Sequence, residues 1–423
     1  MISLLLISFL VLLFLGMPVA FAMAIGAVLA LLSLGDVSLL LVPQRMYLSL
    51  NSFPLLAVPF FILAGELMNV GGITKRIVAF AGALVGHFRG GLGHVNVVAN
   101  MIMAGVSGSA SADAVAIGSV MIPAMVQAGY PAPFAAGLTA SAATIGPIIP
   151  PSIVMVIYGS MTGVSIGAMF LGGIIPGVLI GFGLMGIVWW YAWRRGWRRE
   201  ARVPAREVWR RFRDAVWALL SPFIIVGGIL SGVFTATEAG VVACLYSMFV
   251  GLVVYLELKW GKLWDILRNA AITTSVPVII VAGASLFGWI LARQRFANMM
   301  VSFVTDLTTS PLLAYLIIVV ILLFIGLFVE ALAAILIFVP VLLPIGQHFG
   351  FDPVHYALVI IIAMLIGTVT PPVGLQLYIA SAISRVAVPN VVVWPFVGAM
   401  TAVLVLIVLL PWTVTWIPSF FFK

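Results

Sequence analysis

The chain has 423 residues, of which 64% are hydrophobic and only 8% charged, with a mean hydropathy of +1.28; an ordinary soluble domain carries roughly 25% charged residues. No water-soluble fold hides that much apolar surface, so a globular cytosolic enzyme is excluded and a polytopic membrane protein remains. The formal charge of +8 does not imply a nucleic-acid partner, because nine of the 20 basic residues crowd between Arg194 and Arg213, the pattern of a positive-inside anchor beside a membrane helix.

Apolar runs cover enough chain for ten or more spans at about 20 residues each. Period-two alternation is absent, which argues against an outer-membrane barrel. The opening MISLLLISFLVLLFLGMPVAFA lacks a basic region and runs on into apolar sequence, so it reads as a retained membrane segment and not a cleaved signal. Helices over about 1–14 and 17–34 precede a third over 53–69 and an amphipathic stretch over 71–90. Two apolar arms then fill 92–127 around a Gly- and Ser-rich tip. An arm of about a dozen residues covers only about 18 Å, short of a hydrocarbon core near 30 Å, which predicts a re-entrant hairpin. The helix over 133–165 is interrupted at TIGPIIPPS, residues 144–152, where proline removes backbone donors. A linking helix over 168–192 leads into the basic segment.

The same unit then recurs. Shifted by 221 residues, 105–160 aligns with 326–381 without a gap, with Gly105/Gly326, Pro123/Pro344, Gly129/Gly350, Gly146/Gly367, Pro150/Pro371, Pro151/Pro372 and Ser160/Ser381 identical. The second unit predicts helices over 215–232, 236–256 and 271–292, an amphipathic stretch over 293–311, a hairpin over 312–346 and a helix over 354–387 broken at LIGTVTPPV. The expected organisation is a first repeat over 1–165, a linker over 166–214, a second repeat over 215–387 and a C-terminal transmembrane helix over 388–423. An odd number of crossings per repeat plus linker inverts the second copy. With the basic segment cytoplasmic, Lys75, Arg76, Arg89, Lys259, Lys262, Arg268 and Arg385 join it, leaving only Arg45, Arg293, Arg295 and Lys423 outside. The fold class read from this pattern is all-α and polytopic, with two inverted-topology repeats, each carrying a hairpin and a broken helix. Such repeats mark secondary transporters. No GxxxxGK[ST] run is present, so an ion gradient is the expected energy source.

The first tip, Gly105–Asp113, offers Ser107, Gly108, Ser109 and Ser111, an oxygen-rich set suited to a hard cation such as Na⁺; close helix packing by small residues is the plainer alternative. The facing break supplies Thr144, Gly146, Pro147 and Ser152. In the second copy Gly326 and Glu330 face Gly367, Thr368, Thr370 and Pro371. Ionisable residues at membrane depth are functional candidates by default. Glu330 reads as an ion, substrate or gating group; Glu238 fits that role or a helix cap; Asp113 fits cation binding or a cap; Glu66 fits an anchor or a pair with Lys75 or Arg76. Arg293 and Arg295 fit snorkelling anchors or contacts to an anion or an acidic partner. The candidate substrate or gating set is thus Ser109, Asp113, Ser152, Glu238, Arg293 and Glu330. Cys244 leaves no disulfide framework, and His87, His94, His348 and His355 lack metal-ligand spacing, so no transition metal is expected. Gly105–Gly108 matches the GxSG of intramembrane serine proteases, which would need a histidine base at that depth.

NSFPLLAVPFFILAGELMNVGG (51–72), GVSGSASADAVAIGSVMIPAM (105–125), IGPIIPPSIVMVIYG (145–159), TATEAG (235–240) and GTVTPPVGLQLYIASAIS (367–384) resemble the large membrane subunit of tripartite ATP-independent periplasmic (TRAP) transporters over nearly the whole chain. The resemblance implies a Na⁺-coupled importer of the ion-transporter superfamily in a bacterial inner membrane, with an elevator movement of the hairpin-bearing part and no organic cofactor or enzymatic activity. It implies a separate small four-helix membrane subunit and a periplasmic binding protein that delivers an organic acid, such as sialic acid or a dicarboxylate. It also assigns a first Na⁺ site to the Gly105–Asp113 tip with the 144–152 break, and a second to Gly326–Glu330 with 367–371. Glu330 departs from the family pattern, where aspartate is more usual. A self-sufficient Na⁺/anion symporter of the same superfamily is the alternative reading.

Overall fold

The computed structural model describes residues 1–33, 37–197, 199 and 201–422; Leu34 of the second expected helix, Arg198 of the basic segment and Lys423 of the outer basic group lie outside the described residues. The chain is all-helical among the described residues. Its first half runs α1 (Ile2–Phe14), α2 (Val19–Leu32), α3 (Leu41–Leu50), α4 (Ala57–Val70), α5 (Ile73–Val85), α6 (Gly91–Ser107), α7 (Ala110–Gln127), α8 (Ala132–Ala143), α9 (Ile153–Thr162) and α10 (Ile166–Arg195). Its second half runs α11 (Ala205–Leu230), α12 (Ala236–Phe249), α13 (Leu263–Arg293), α14 (Phe296–Leu307), α15 (Pro311–Gly326), α16 (Ala331–His348), α17 (Pro353–Gly367), α18 (Leu375–Ser384), α19 (Trp394–Leu409), α20 (Trp412–Thr415) and α21 (Pro418–Phe421).

The repeat is visible in the helix bounds. Shifting α7 by 221 residues gives 331–348, the bounds of α16, and shifting α9 gives 374–383, one residue from α18. Gly129 and Gly350, at positive φ, close α7 and α16 alike. Both Pro-Pro bonds, Pro150–Pro151 and Pro371–Pro372, are cis.

Several expectations are corrected. The hairpin arms are not a dozen residues but 17 and 18 in α6 and α7, and 16 and 18 in α15 and α16, or about 24–27 Å at 1.5 Å per residue. The helices continue through the small residues beside each tip instead of ending with the apolar run. Their length alone therefore does not force re-entrance. Helix α3 falls in a stretch to which the sequence reading assigns no element. The basic segment is only partly loop, because α11 begins at Ala205 and carries Arg206, Arg210, Arg211 and Arg213 on its first turns. The C-terminal span is cut at Leu409, before Pro411. Among the described residues seven helices are long and apolar enough to cross a membrane on their own, or eight if α14 and α15, bent by 118°, form one span. Further apolar helices of 10–17 residues, including α9, α17 and α18, add to these.

Packing sorts the helices into two groups. In one, α1 pairs with α2, α2 and α4 lie against α13, and α4 lies against α12. That last contact is close: the Cys244 thiol donates to the Phe60 carbonyl at 2.9 Å, and the Thr237 hydroxyl to the Phe53 carbonyl at 2.8 Å. In the other, each hairpin packs on the first half of its own copy's broken helix and on the second half of the other copy's. Helix α7 meets α8 and α18, while α16 meets α17 and α9. Helices α10 and α19 pack against each other and along this second group. Its centre is buried: every residue of α17 from His355 to Gly367 is inaccessible.

The tightest contact between hairpin and break is backbone on backbone. A Cβ on Gly367 would lie 2.4 Å from the Gly326 Cα, far inside van der Waals range. Gly367→Ala is expected to cost about 1–3 kcal/mol of stability through overpacking. Gly186→Ala, where a Cβ meets nothing within 4 Å in mid-α10, is expected to be neutral or to gain roughly 0.5–1 kcal/mol. Thermal unfolding of the purified variants checks both.

Candidate functional site

At the first tip α6 ends at Ser107, and Gly108, at φ +61, turns the chain in a conformation that disfavours any side chain. Ser109 is extended and caps α7, its hydroxyl accepting from the Ala112 N–H at 3.5 Å and contacting the Ser111 hydroxyl at 3.2 Å. The tip lies on the break: the Ile153 N–H donates to the Gly108 carbonyl at 3.4 Å, and a Cβ on Gly108 would lie 2.4 Å from the Pro151 carbonyl oxygen.

Asp113 is the chemical centre of this junction. Because Ser109 supplies the cap, the Asp113 side chain is free to turn inward, where it is fully buried. The Ser107 hydroxyl donates to its Oδ1 at 2.5 Å. Its Oδ2 has no hydrogen-bond partner among the described residues and sits 2.4 Å from where a Gly146 Cβ would be. No cationic side chain pairs with it among the described residues. A carboxylate cannot remain ionised and uncompensated in such a place without severe cost, so an exogenous cation or a proton must complete the site. Oxygen donors of the kind a hard monovalent cation takes are present on both sides of the junction. Across the break the Thr144 hydroxyl donates to the Ser141 carbonyl at 2.7 Å, and the Ser152 hydroxyl to the Pro147 carbonyl at 2.6 Å. Both hydroxyl oxygens keep lone pairs. Ser152 also accepts from the Met155 N–H at 3.2 Å, capping α9. Ser111 stays at the exposed side of the tip.

The second junction brings Gly326 onto Gly367. The Leu327 carbonyl accepts from the Gly374 N–H at 3.3 Å, and the Thr368 carbonyl from the Gln376 N–H at 3.1 Å. The Thr368 and Thr370 hydroxyls donate to the Leu365 and Ile366 carbonyls at 2.6 and 2.8 Å, and Pro371 follows in the break. The Glu330 carboxylate caps α16, accepting from the Leu332 and Ala333 N–H groups at 3.0 and 3.2 Å. Glu238 is likewise drawn into a capping box with Thr235, accepting from the Thr235 N–H and hydroxyl at 2.8 Å each. Arg293 lies over the Trp289 ring at 5.5 Å, with Arg45 over the same ring at 5.4 Å, while Arg295 stands at the α13–α14 corner with φ 52. Arg76 pairs with Glu257 at 2.7 Å and not with Glu66.

Two features escape a reading by motif. Gln376 is buried with its Oε1 unpartnered, one turn past the second break; its signal is a single amide within the apolar run LQLYIA. In α6, Asn96 donates to the Thr139 hydroxyl at 2.6 Å and Asn100 donates to the Asn96 Oδ1 at 2.9 Å. The i, i+4 spacing of the two asparagines was the available signal, and it ties the first arm to α8. The protease geometry is absent among the described residues: Ser107 bonds Asp113, His94 bonds the Arg89 carbonyl at 3.0 Å, and His355 lies between the Tyr315 hydroxyl and the Ile407 carbonyl, each at 3.0 Å.

Residues 6–413 match the family described as tripartite ATP-independent periplasmic transporter, DctM component. The chain is 41% identical to a sialic acid TRAP transporter large permease protein of Vibrio cholerae, across 97% of this chain and 96% of that relative. It is 41% identical to a 2,3-diketo-L-gulonate TRAP transporter large permease protein of Escherichia coli, across 94% of both. It is 38% identical to a sialic acid TRAP transporter permease protein of Haemophilus influenzae, across 98% of this chain but 68% of that longer relative. In structure it resembles the YdaH transporter of Alcanivorax borkumensis, with a TM-score of 0.60 at 13% identity over 84% of each chain, a likeness of fold alone.

A cap and an ion site respond differently to substitution. Thr235→Ala removes the hydroxyl that caps α12 and is expected to cost about 1 kcal/mol of stability, seen as a lower unfolding midpoint, while transport per folded molecule stays unchanged. A loss of transport greater than the loss of folded protein would give the Thr235–Glu238 pair a functional role beyond the cap.

Proposed function

Since the chain belongs to the DctM family of tripartite ATP-independent periplasmic transporters, we propose that it is the large permease of a Na⁺-coupled importer of an organic acid, with a cation completing the Asp113 site. The observation that carries this reading is the buried, unpartnered Asp113 Oδ2 at the contact of tip and break. Sialic acid and 2,3-diketo-L-gulonate, named for the relatives, are carboxylates, and the substrate of this chain is of that class. No lysine or arginine occurs between 90 and 193 or between 296 and 384. The carboxylate would therefore rest on helix N-termini and hydroxyls near the tips.

The repeat in helix bounds, together with the one-sided distribution of basic residues, supports two copies of inverted orientation. Hairpins that stop at mid-depth are supported by their tips meeting breaks whose flanking helices are only 10–15 residues long. On this reading α6–α9 and α15–α18 move as one body against α1, α2, α4 and α11–α13, the elevator arrangement. The basic segment then faces the cytoplasm of a bacterial cell, across its inner membrane. Family members work with a small membrane subunit and a periplasmic binding protein, and the exposed apolar faces of α1–α3 and the Arg45–Trp289–Arg293 stack offer surfaces for these partners. The family match favours a delivered substrate over self-sufficient symport.

Na⁺ titrated against choline at constant ionic strength, with K⁺ as control, is expected to raise the unfolding midpoint saturably, by the equivalent of about 2.7 kcal/mol at a hundredfold excess over Kd. Asp113→Asn keeps the side-chain volume and is expected to abolish most of that response; Glu330→Gln is expected to keep it. An Asp113→Asn protein with undiminished Na⁺ stabilisation would refute the site.

A further inference from the structure

A cavity of about 620 Å³ opens where α5, the first turns of α11 and the segment that follows α12 meet, and the transport reading makes no use of it. Lys75, Arg76, Arg211 and Arg213 line it together with Trp217 and Tyr255, against only two carboxylates, Asp214 and Glu257. Two of the guanidinium groups are held in place. Arg76 lies over the Tyr255 ring at 3.8 Å while donating to the Gly72 carbonyl at 2.9 Å and to Glu257 at 2.7 Å. Arg211 donates to the Ala79 carbonyl at 3.0 Å and to Glu207 at 2.9 Å. Lys75 and Arg213 are exposed, with no ion-pair partner among the described residues.

The cavity lies at the level where α11 changes character. Residues 205–214 read AREVWRRFRD and 215–226 read AVWALLSPFIIV, so the water–hydrocarbon boundary falls at its wall. Trp209, Trp260 and Trp264, between 61% and 74% exposed, supply the aromatic belt expected there. The charged lip thus continues into an apolar wall of Trp217 and Val254. A free anion would use only the lip. A phospholipid would use both, with its phosphate among the cations and an acyl chain along the wall.

We infer that this cavity is a binding site for an anionic phospholipid, gripping the headgroup phosphate between Lys75 and Arg213 and tying α5 to α11. Helix α5 leads directly into the first hairpin through residues 86–90. Occupancy therefore bears on the joint between the two groups of helices. The cytoplasmic placement rests on the topology proposed above, but lipid binding in solution does not depend on sidedness or on Na⁺. A chain that failed the Na⁺ titration could still pass this test, and the reverse.

The test is a thermal-unfolding titration of the full chain in detergent with phosphatidylglycerol, with phosphatidylcholine and with soluble glycerol phosphate. Phosphatidylglycerol is expected to raise the midpoint saturably, and the other two to leave it unmoved. The exposed pair Lys75→Gln/Arg213→Gln is expected to weaken the phosphatidylglycerol midpoint roughly tenfold. Lys259→Gln/Lys262→Gln removes the same charge from exposed positions outside the cavity and is expected to change nothing. An unaltered response in the first pair, an equal loss in both pairs, or a saturable response to glycerol phosphate would each overturn the proposal.

Discussion

Two helical hairpins reach two interrupted helices closely enough for main chain to touch main chain, and the rest of the molecule is arranged around those junctions. At the second junction two glycine α-carbons face each other; at the first, Gly108 lies on the Pro151 carbonyl and Asp113 fills the space beside Gly146. Contacts of this kind demand both glycine, for approach, and proline, for a helix end that cannot re-form. Non-helical backbone is tolerated at membrane depth only when protein or a water-lined cavity surrounds it. The burial of α17 and the crossed packing of α7 on α18 and of α16 on α9 provide that enclosure.

The same constraint sets the electrostatics. An enclosed junction has no room for lysine or arginine, and over a hundred residues around the first hairpin contain neither. What remains is oxygen: hydroxyls, break carbonyls and one carboxylate. Asp113 is exceptional because its partners are a neutral hydroxyl and a glycine. Glu238 and Glu330 show the contrast, since each spends its charge on the free N–H groups of its own helix, where an acidic first turn is favoured. Three carboxylates that were all candidates by membrane depth thus differ in what their oxygens touch.

Those differences explain what the residues alone disclose. The breaks, the tips and the repeat were legible because glycine and proline leave marks in sequence that apolar composition cannot imitate. Arm lengths were not, because Ala, Ser and Gly beside a tip are compatible with either helix or turn, and neighbouring helices decide in favour of helix. The role of Asp113 was open because Ser109, four residues earlier, competes for the same cap; only geometry shows that the serine takes it. Long-range pairs such as Arg76 with Glu257, 181 positions apart, are beyond any local pattern. Glu66 therefore had to be weighed against the wrong cations.

The crossed packing also bears on how the proposed coupling would work. If each hairpin touched only its own repeat, a cation bound at one tip would be felt within one half of the molecule. Here α7 rests on the second half of the other copy's broken helix, and α16 does the same in reverse. On the proposed reading, a cation at the Asp113 junction would restrain the element that follows Pro371 as well as the one that follows Pro147. Coupling requires that a ligand bias a discrete arrangement shared by both sites. An interlock in which each copy holds half of the other supplies such a shared element, without any charged side chain crossing between them.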